Sequence, residues 1–185
     1  MVTGRRSDDG FTLTELVVVV ALLGIVLGGA YAMFSVAARA SADSNREAWM
    51  SREIGQPLEY AERVFSQQTA FTTVDPYRLQ GTTDRDNDNC YETYLFEVTT
   101  DGRLLITSSE TSDSPTPMIA TWSTDNRNRA EGVPLFRYYD VAGADISAEA
   151  SSYIAQYATS VVVTIVAEHE DEIVESARRV YFRNR

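Results

Sequence analysis

The chain has 185 residues, a formal net charge of −11, 44% hydrophobic residues and 23% charged residues. That length holds one domain of ordinary size with an appended segment, and the composition excludes a wholly disordered chain. The acidic balance repels phosphate backbones and disfavours nucleic acid as a partner, while a single cysteine, Cys90, excludes an intramolecular disulfide.

Residues 1–10 (MVTGRRSDDG) form a short polar leader ending in glycine. Nineteen uncharged and mostly apolar residues, Leu16 to Phe34, follow shortly after it. At 1.5 Å per residue this run is about 28 Å long, close to the roughly 30 Å hydrocarbon core of a bilayer. Arg5 and Arg6 precede the run, so the positive-inside rule keeps that end cytoplasmic and exports the rest. Within the run, Gly24 and Gly28 make a small-xxx-small pair that permits close helix approach in lipid. The bland alternative is that these glycines only loosen a membrane helix.

No turn cluster interrupts the chain from Thr12 to about Ser66, which predicts one helix of roughly 80 Å. Its 11–34 half is apolar on all sides, as a transmembrane segment requires. Its 35–66 half reads as amphipathic, with Met50, Ile54, Leu58, Ala61 and Phe65 recurring at spacings of three and four. Gly55 and Pro57 predict a kink or a short break there. Residues 67–185 change to a period of two and read as a β-rich head. Tyr94, Phe96 and Val98 alternate with Thr93, Leu95 and Glu97, and Asp101-Gly102 predicts a type I′ hairpin turn towards Leu104–Thr107. Further strands are predicted over Met118–Thr124, Leu135–Tyr139, Thr159–Ala167 and Ile173–Phe182, the last two joined by the acidic turn Glu168–Glu172. Polar loops lie between them at Gly81–Asn89, Ser108–Pro117 and Asp125–Gly132. The expected class is α+β, a long N-terminal helix packed by its apolar stripe on an antiparallel sheet.

Candidate chemistry in the head is sparse. Asp84, Asp86 and Asp88 place three carboxylates at alternate loop positions, which suits Ca²⁺. The full EF-hand pattern is not met, because Asn89 stands at the sixth position and Leu95 at the twelfth. The alternative is a solvated acidic turn. His169, the single histidine, sits among Glu168, Glu170 and Asp171 and reads as a surface residue. With one His and one Cys and no nucleophile motif, neither a catalytic triad nor a zinc site can be assembled, so an enzyme is not expected. Arg178 and Arg179 read either as strand-edge charge or as residues facing acidic neighbours in an assembly.

Gly10-Phe11-Thr12-Leu13-Thr14-Glu15-Leu16 resembles the processing signal of type IV prepilins and type II secretion pseudopilins. The resemblance covers about 35 residues: basic leader, Gly-Phe junction, lone acid and uninterrupted apolar run. It implies cleavage by prepilin peptidase between Gly10 and Phe11, methylation of the Phe11 amine, and an assembly role for Glu15. It further implies a pilin fold and a structural, non-enzymatic filament subunit. Its partners would be other pilin or pseudopilin subunits, the assembly platform, its ATPase and membrane lipid. Tyr138–Gly143 and Val180–Arg185 are similar to the closing segments of J-type minor subunits. The residues support Glu15 independently, since a carboxylate at the edge of a lipid-facing helix costs about 1–3 kcal/mol unless it finds a partner. An amine freed on Phe11 is such a partner. Rival readings are a secretory signal cut after Ala38-Arg39-Ala40, a plain single-span anchor, a major pilin building the whole fibre, and a competence or adhesive subunit capturing DNA or a surface ligand.

Overall fold

This computed structural model describes residues 12–68, 70–83, 91–110, 118–123 and 125–183. They divide into two compact units, one ending at Ala48 and the other beginning at Trp49.

The first unit is helical. Helix α1 spans Leu13–Met50 and buries none of its residues, and each Val, Leu and Ile from Leu16 to Val36 exposes more than half of its surface. It belongs to the single described helical run, Leu13–Ser66, that is long and apolar enough to cross a membrane.

In the second unit the helical path passes through a π turn, Ser51–Gly55, into α2, Gln56–Ser66. The Gln56 N–H donates to the Ser51 carbonyl five residues back, and Met50, Gly55 and Gln56 all keep right-handed helical angles. Pro57 lies in the first turn of α2, where its missing N–H costs least. The proline is thus accommodated by one wide turn, not by a break in the chain. Of the expected stripe, Ile54, Leu58, Ala61 and Phe65 are buried and Val64 joins them, whereas Met50 is exposed. Each large apolar side chain so buried contributes about 1.5–3 kcal/mol.

Eight strands follow. β1 (Ala70–Asp75), β2 (Arg78–Thr83), β3 (Glu92–Val98), β4 (Leu104–Glu110) and β5 (Met118–Ser123) form an antiparallel five-stranded sheet in sequence order. β6 (Phe136–Tyr139), β7 (Ser160–His169) and β8 (Glu172–Tyr181) form a second antiparallel sheet. The α+β class and pilin-like order expected from the sequence hold, with two sheets where one was expected. Helix α2 fills the core with both: Phe65 lies 4.7 Å from Phe96 of the first sheet and 5.8 Å from Phe136 of the second, ring centre to ring centre. The β1–β2 turn links the sheets, because the Pro76 carbonyl accepts the Phe136 N–H and the Tyr77 carbonyl accepts the Val98 N–H.

Three elements are additional to the sequence expectation: β1, β2 and the short helix α3 (Ser151–Tyr157). β1 and β2 approach closely enough to require glycine at Gly81, where a Cβ would sit 2.7 Å from the Ala70 carbonyl oxygen and closer still to the Gln68 amide. The Asp101-Gly102 hairpin is confirmed with a different turn. Only Gly102 has positive φ (78°), the Gly102 N–H donates to the Thr99 carbonyl, and the Thr99 N–H donates to the Arg103 carbonyl. This is a three-residue loop closed by a glycine bulge. The turn with two positive-φ residues is instead Glu170-Asp171 (φ 48° and 66°), which joins β7 to β8.

Segment Asp125–Gly132 is also not simply an exposed loop. Asn126 and Asn128 are buried, and the Asn128 amide donates to the Thr164 carbonyl at 2.7 Å while its Oδ1 accepts the Val166 N–H at 2.9 Å. The loop therefore completes the β7 edge beyond the short strand β6. Arg129 continues the clip by donating to the Val98 carbonyl at 2.6 Å and stacking over Tyr77.

Candidate functional site

The first turn of α1 carries the residue singled out at the head of the chain. The Thr12 backbone N–H donates to Glu15 Oε2 at 3.1 Å, and the Thr12 hydroxyl donates to the same oxygen at 3.0 Å. In return the Glu15 N–H donates to Thr12 Oγ1 at 3.3 Å. This reciprocal pattern is a capping box, in which an N-terminal threonine and the acid three residues on satisfy each other's backbone donors. The Glu15 carboxylate therefore has partners within the chain before any amine is freed, in addition to the Phe11 amine that the sequence offers as one. Its signal, Thr-x-x-Glu, was present in the sequence at Thr12–Glu15.

The arrangement also fixes where the charge sits. Whatever the conformation of Phe11, its nitrogen is separated from the Thr12 nitrogen by two backbone atoms and lies within about 3.7 Å of it. A charged amine at Phe11 would thus lie within about 7 Å of Glu15 Oε2, close enough for attraction between the two charges.

Among the described residues, a side chain at Gly24 or Gly28 would meet nothing within 4 Å beyond the helix's own backbone, so both leave open helix surface. Gly10 and Phe11 lie outside the described residues, as do Asp84, Asp86 and Asp88.

Residues 5–31 match the family described as the prokaryotic N-terminal methylation motif. The chain carries a prepilin-type methylation signal. Neither the curated proteins nor the solved structures compared with the chain give a match. The methylation motif covers the capped start of α1 and the apolar run as far as Tyr31, and its residues include Gly10, Phe11, Glu15, Gly24 and Gly28.

In the head, the residues flagged by sequence separate from one another. Arg178 donates to Glu62 of α2 at 2.8 Å and is thereby used within the head. Arg179 points to the opposite face of the sheet, its guanidinium 4.1 Å from the centre of the Tyr139 ring. His169 is half-buried and stacks on Trp49 with ring centres 4.4 Å apart, so it is not the free surface residue expected. These two rings border a polar cleft with Asp125, Arg127, Glu168, Glu170 and Asp171, across which Arg127 and Glu168 form an ion pair. Among the described residues no group of three or more His, Cys, Asp and Glu side chains is placed to hold a metal. Tyr138 is buried and donates to the Asp75 carbonyl. Burial first, then the Asp75 charge, push its phenol well above the usual range, which leaves it a structural hydrogen-bond donor.

Proposed function

We propose that this chain is a structural subunit of a type IV pilus-like or type II secretion filament. In this reading prepilin peptidase cuts after Gly10, the Phe11 amine is methylated, and the head is exported while Arg5 and Arg6 hold the other end in the cytoplasm. The observation that carries the proposal is the methylation motif joined to a helix whose apolar side chains from Leu16 to Val36 are exposed among the described residues. Two environments satisfy such a helix. Lipid covers it while the subunit waits in the membrane, and a bundle of like helices covers it in a fibre. Assembly is the transfer from one to the other, and the anchored Glu15 carboxylate offers a docking point for the methylated amine of its own or a neighbouring subunit.

The similarity of the Tyr138–Gly143 and Val180–Arg185 segments to J-type subunits favours a minor place in the fibre, and abundance in sheared filaments distinguishes it from a major one. The platform and ATPase enter as the machinery such a subunit needs. Mass spectrometry of the mature protein tests the proposal. An N-terminus at N-methyl-Phe11 is expected, whereas a start at Ser41, or retention of residues 1–10, overturns it.

A further inference from the structure

The outer face of the three-stranded sheet, opposite α2, carries a compact basic and aromatic patch. In the register, Arg137, Val162 and Arg179 lie side by side across β6, β7 and β8, and Tyr139, Ser160 and Tyr181 form the next row. Partners across an antiparallel sheet share a face, and the Arg179–Tyr139 stack confirms the side on which these residues stand. Arg137 and Arg179 are exposed, and Tyr181 exposes 63% of its surface. Among the described residues Arg179 forms no ion pair, so its charge is open to a partner. A flat patch combining an arginine with two tyrosines has the composition of an interface centre.

The other end of the same sheet has the opposite character. The β7–β8 turn presents Glu170 and Asp171, exposed, with Glu168 and Glu172 flanking them. Both turn residues are held at positive φ without a glycine, so their carboxylates are carried on a tight and projecting turn. Arg127 occupies Glu168, and among the described residues neither Glu170 nor Asp171 forms an ion pair. Arg179 and the turn are separated by seven residues of β8, about 26 Å at strand rise, so the two surfaces of one molecule cannot meet.

We infer that the Arg179–Tyr139–Tyr181 patch of one copy receives the acidic Glu170-Asp171 turn of a second copy. Different patches on the two partners make this a heterologous contact. Such a contact propagates in one direction instead of closing on itself, as a fibre requires. The inference rests on the filament reading in the form where copies of this chain are neighbours in the fibre, against the minor place favoured above, and adds to it a specific head surface and a partner. The net charge of −11 disfavours a nucleic acid, and because a second copy carries the same charge, its docking depends on the local complementarity of Arg179 with Glu170 and Asp171.

The test uses the full chain in its own membranes, with a benzophenone amino acid replacing Tyr181 and a differently tagged second copy. Irradiation is expected to join the two copies, with the cross-link mapping to the peptide containing Glu170 and Asp171. Arg179→Glu is expected to lower the yield about tenfold or more, since like charges then oppose each other. Glu170→Arg with Asp171→Arg in the second copy is expected to restore it, and restoration shows that the first variant is folded. A cross-link mapping elsewhere, a yield indifferent to both changes, or labelling by an added radioactive oligothymidylate in place of the second copy overturns the inference. Recovery of the wild-type chain in sheared fibres is scored separately. Fibres without the mapped contact sink this surface alone, and the mapped contact without fibres sinks the filament reading while leaving the pairing of heads supported.

Discussion

The capping box at Thr12 and Glu15 separates two roles that a single acid would otherwise confound. As the third residue of a helix, Glu15 stabilises the first turn by accepting the Thr12 N–H. As a charge at the edge of the apolar run, in the proposed filament it would offer an attachment point for an amine. Glu15→Ala removes both, and Glu15→Gln keeps the acceptor while removing the charge. Both variants are expected to insert into the membrane normally, because the nineteen-residue apolar run is untouched. If the amine pairing sets assembly, both are also expected to be lost from fibres; fibre entry by the Gln variant at the wild-type level would reduce Glu15 to a cap. At the same scale, Asp101 in the β3–β4 hairpin accepts from the Thr99 hydroxyl and pairs with Arg103 at 2.7 Å. These contacts, the Thr99 hydrogen bond first, hold its carboxyl below the usual range of about 3.9. A depressed acid stabilises the fold above its unfolded value and loses that contribution as pH falls through its folded one. Asp101→Asn is therefore expected to lower the melting temperature at pH 7 and to leave it unchanged at pH 2. An equal loss at both pH values would mean that charge has no part in it.

Among the elements, the Asn126–Asn128 clip has the largest structural consequence for its size. Asn128 serves three backbone groups of its surroundings: the carbonyls of Val133 and Thr164 and the N–H of Val166. Asn128→Ala leaves these buried groups unpaired, at about 1–3 kcal/mol for each that water cannot reach. It is expected to destabilise the head by several times the effect of truncating an exposed loop residue such as Glu131, as measured by denaturant unfolding. Nothing in the segment Asp125–Arg129 announces this. Polar side chains in a run look alike whether they face water or a strand edge, and only the fold shows that β6 is too short to cover β7. The β3–β4 alternation and the β7–β8 hairpin were legible because each has an unambiguous period and an evident turn. β1 and β2 were not, since Ala70–Asp75 and Arg78–Thr83 hold few large apolar residues and gain their place from Gly81 and from pairing with β3. The turn types exchanged places for a related reason. Asp-Gly favours positive φ but does not fix loop length, whereas Glu170-Asp171 is driven into the tight form by ten paired residues on each side. At the head of the chain the methylation motif was legible, because it is a contiguous run of residues that is read position by position, without help from the fold.

Across the whole molecule, the sequence suggests a division into a helix ending near Ser66 and a head beginning at 67, whereas the compact second unit begins at Trp49. The difference is physical. Ile54, Leu58, Val64 and Phe65 are core residues shared by both sheets, and at about 1.5–3 kcal/mol each they contribute roughly 6–12 kcal/mol of burial. A domain of this size typically has a net stability of 5–15 kcal/mol, so removing α2 would consume most or all of it. It would also uncover Phe96 and Phe136, against which Phe65 packs. A fragment starting at Trp49 is therefore expected to be soluble and to unfold in one cooperative transition. A fragment starting at residue 67 is expected to aggregate, or to show strand content with no such transition. Equal cooperativity in the two would mean that α2 rests on a head already complete without it, and that the boundary belongs where the sequence pattern changes.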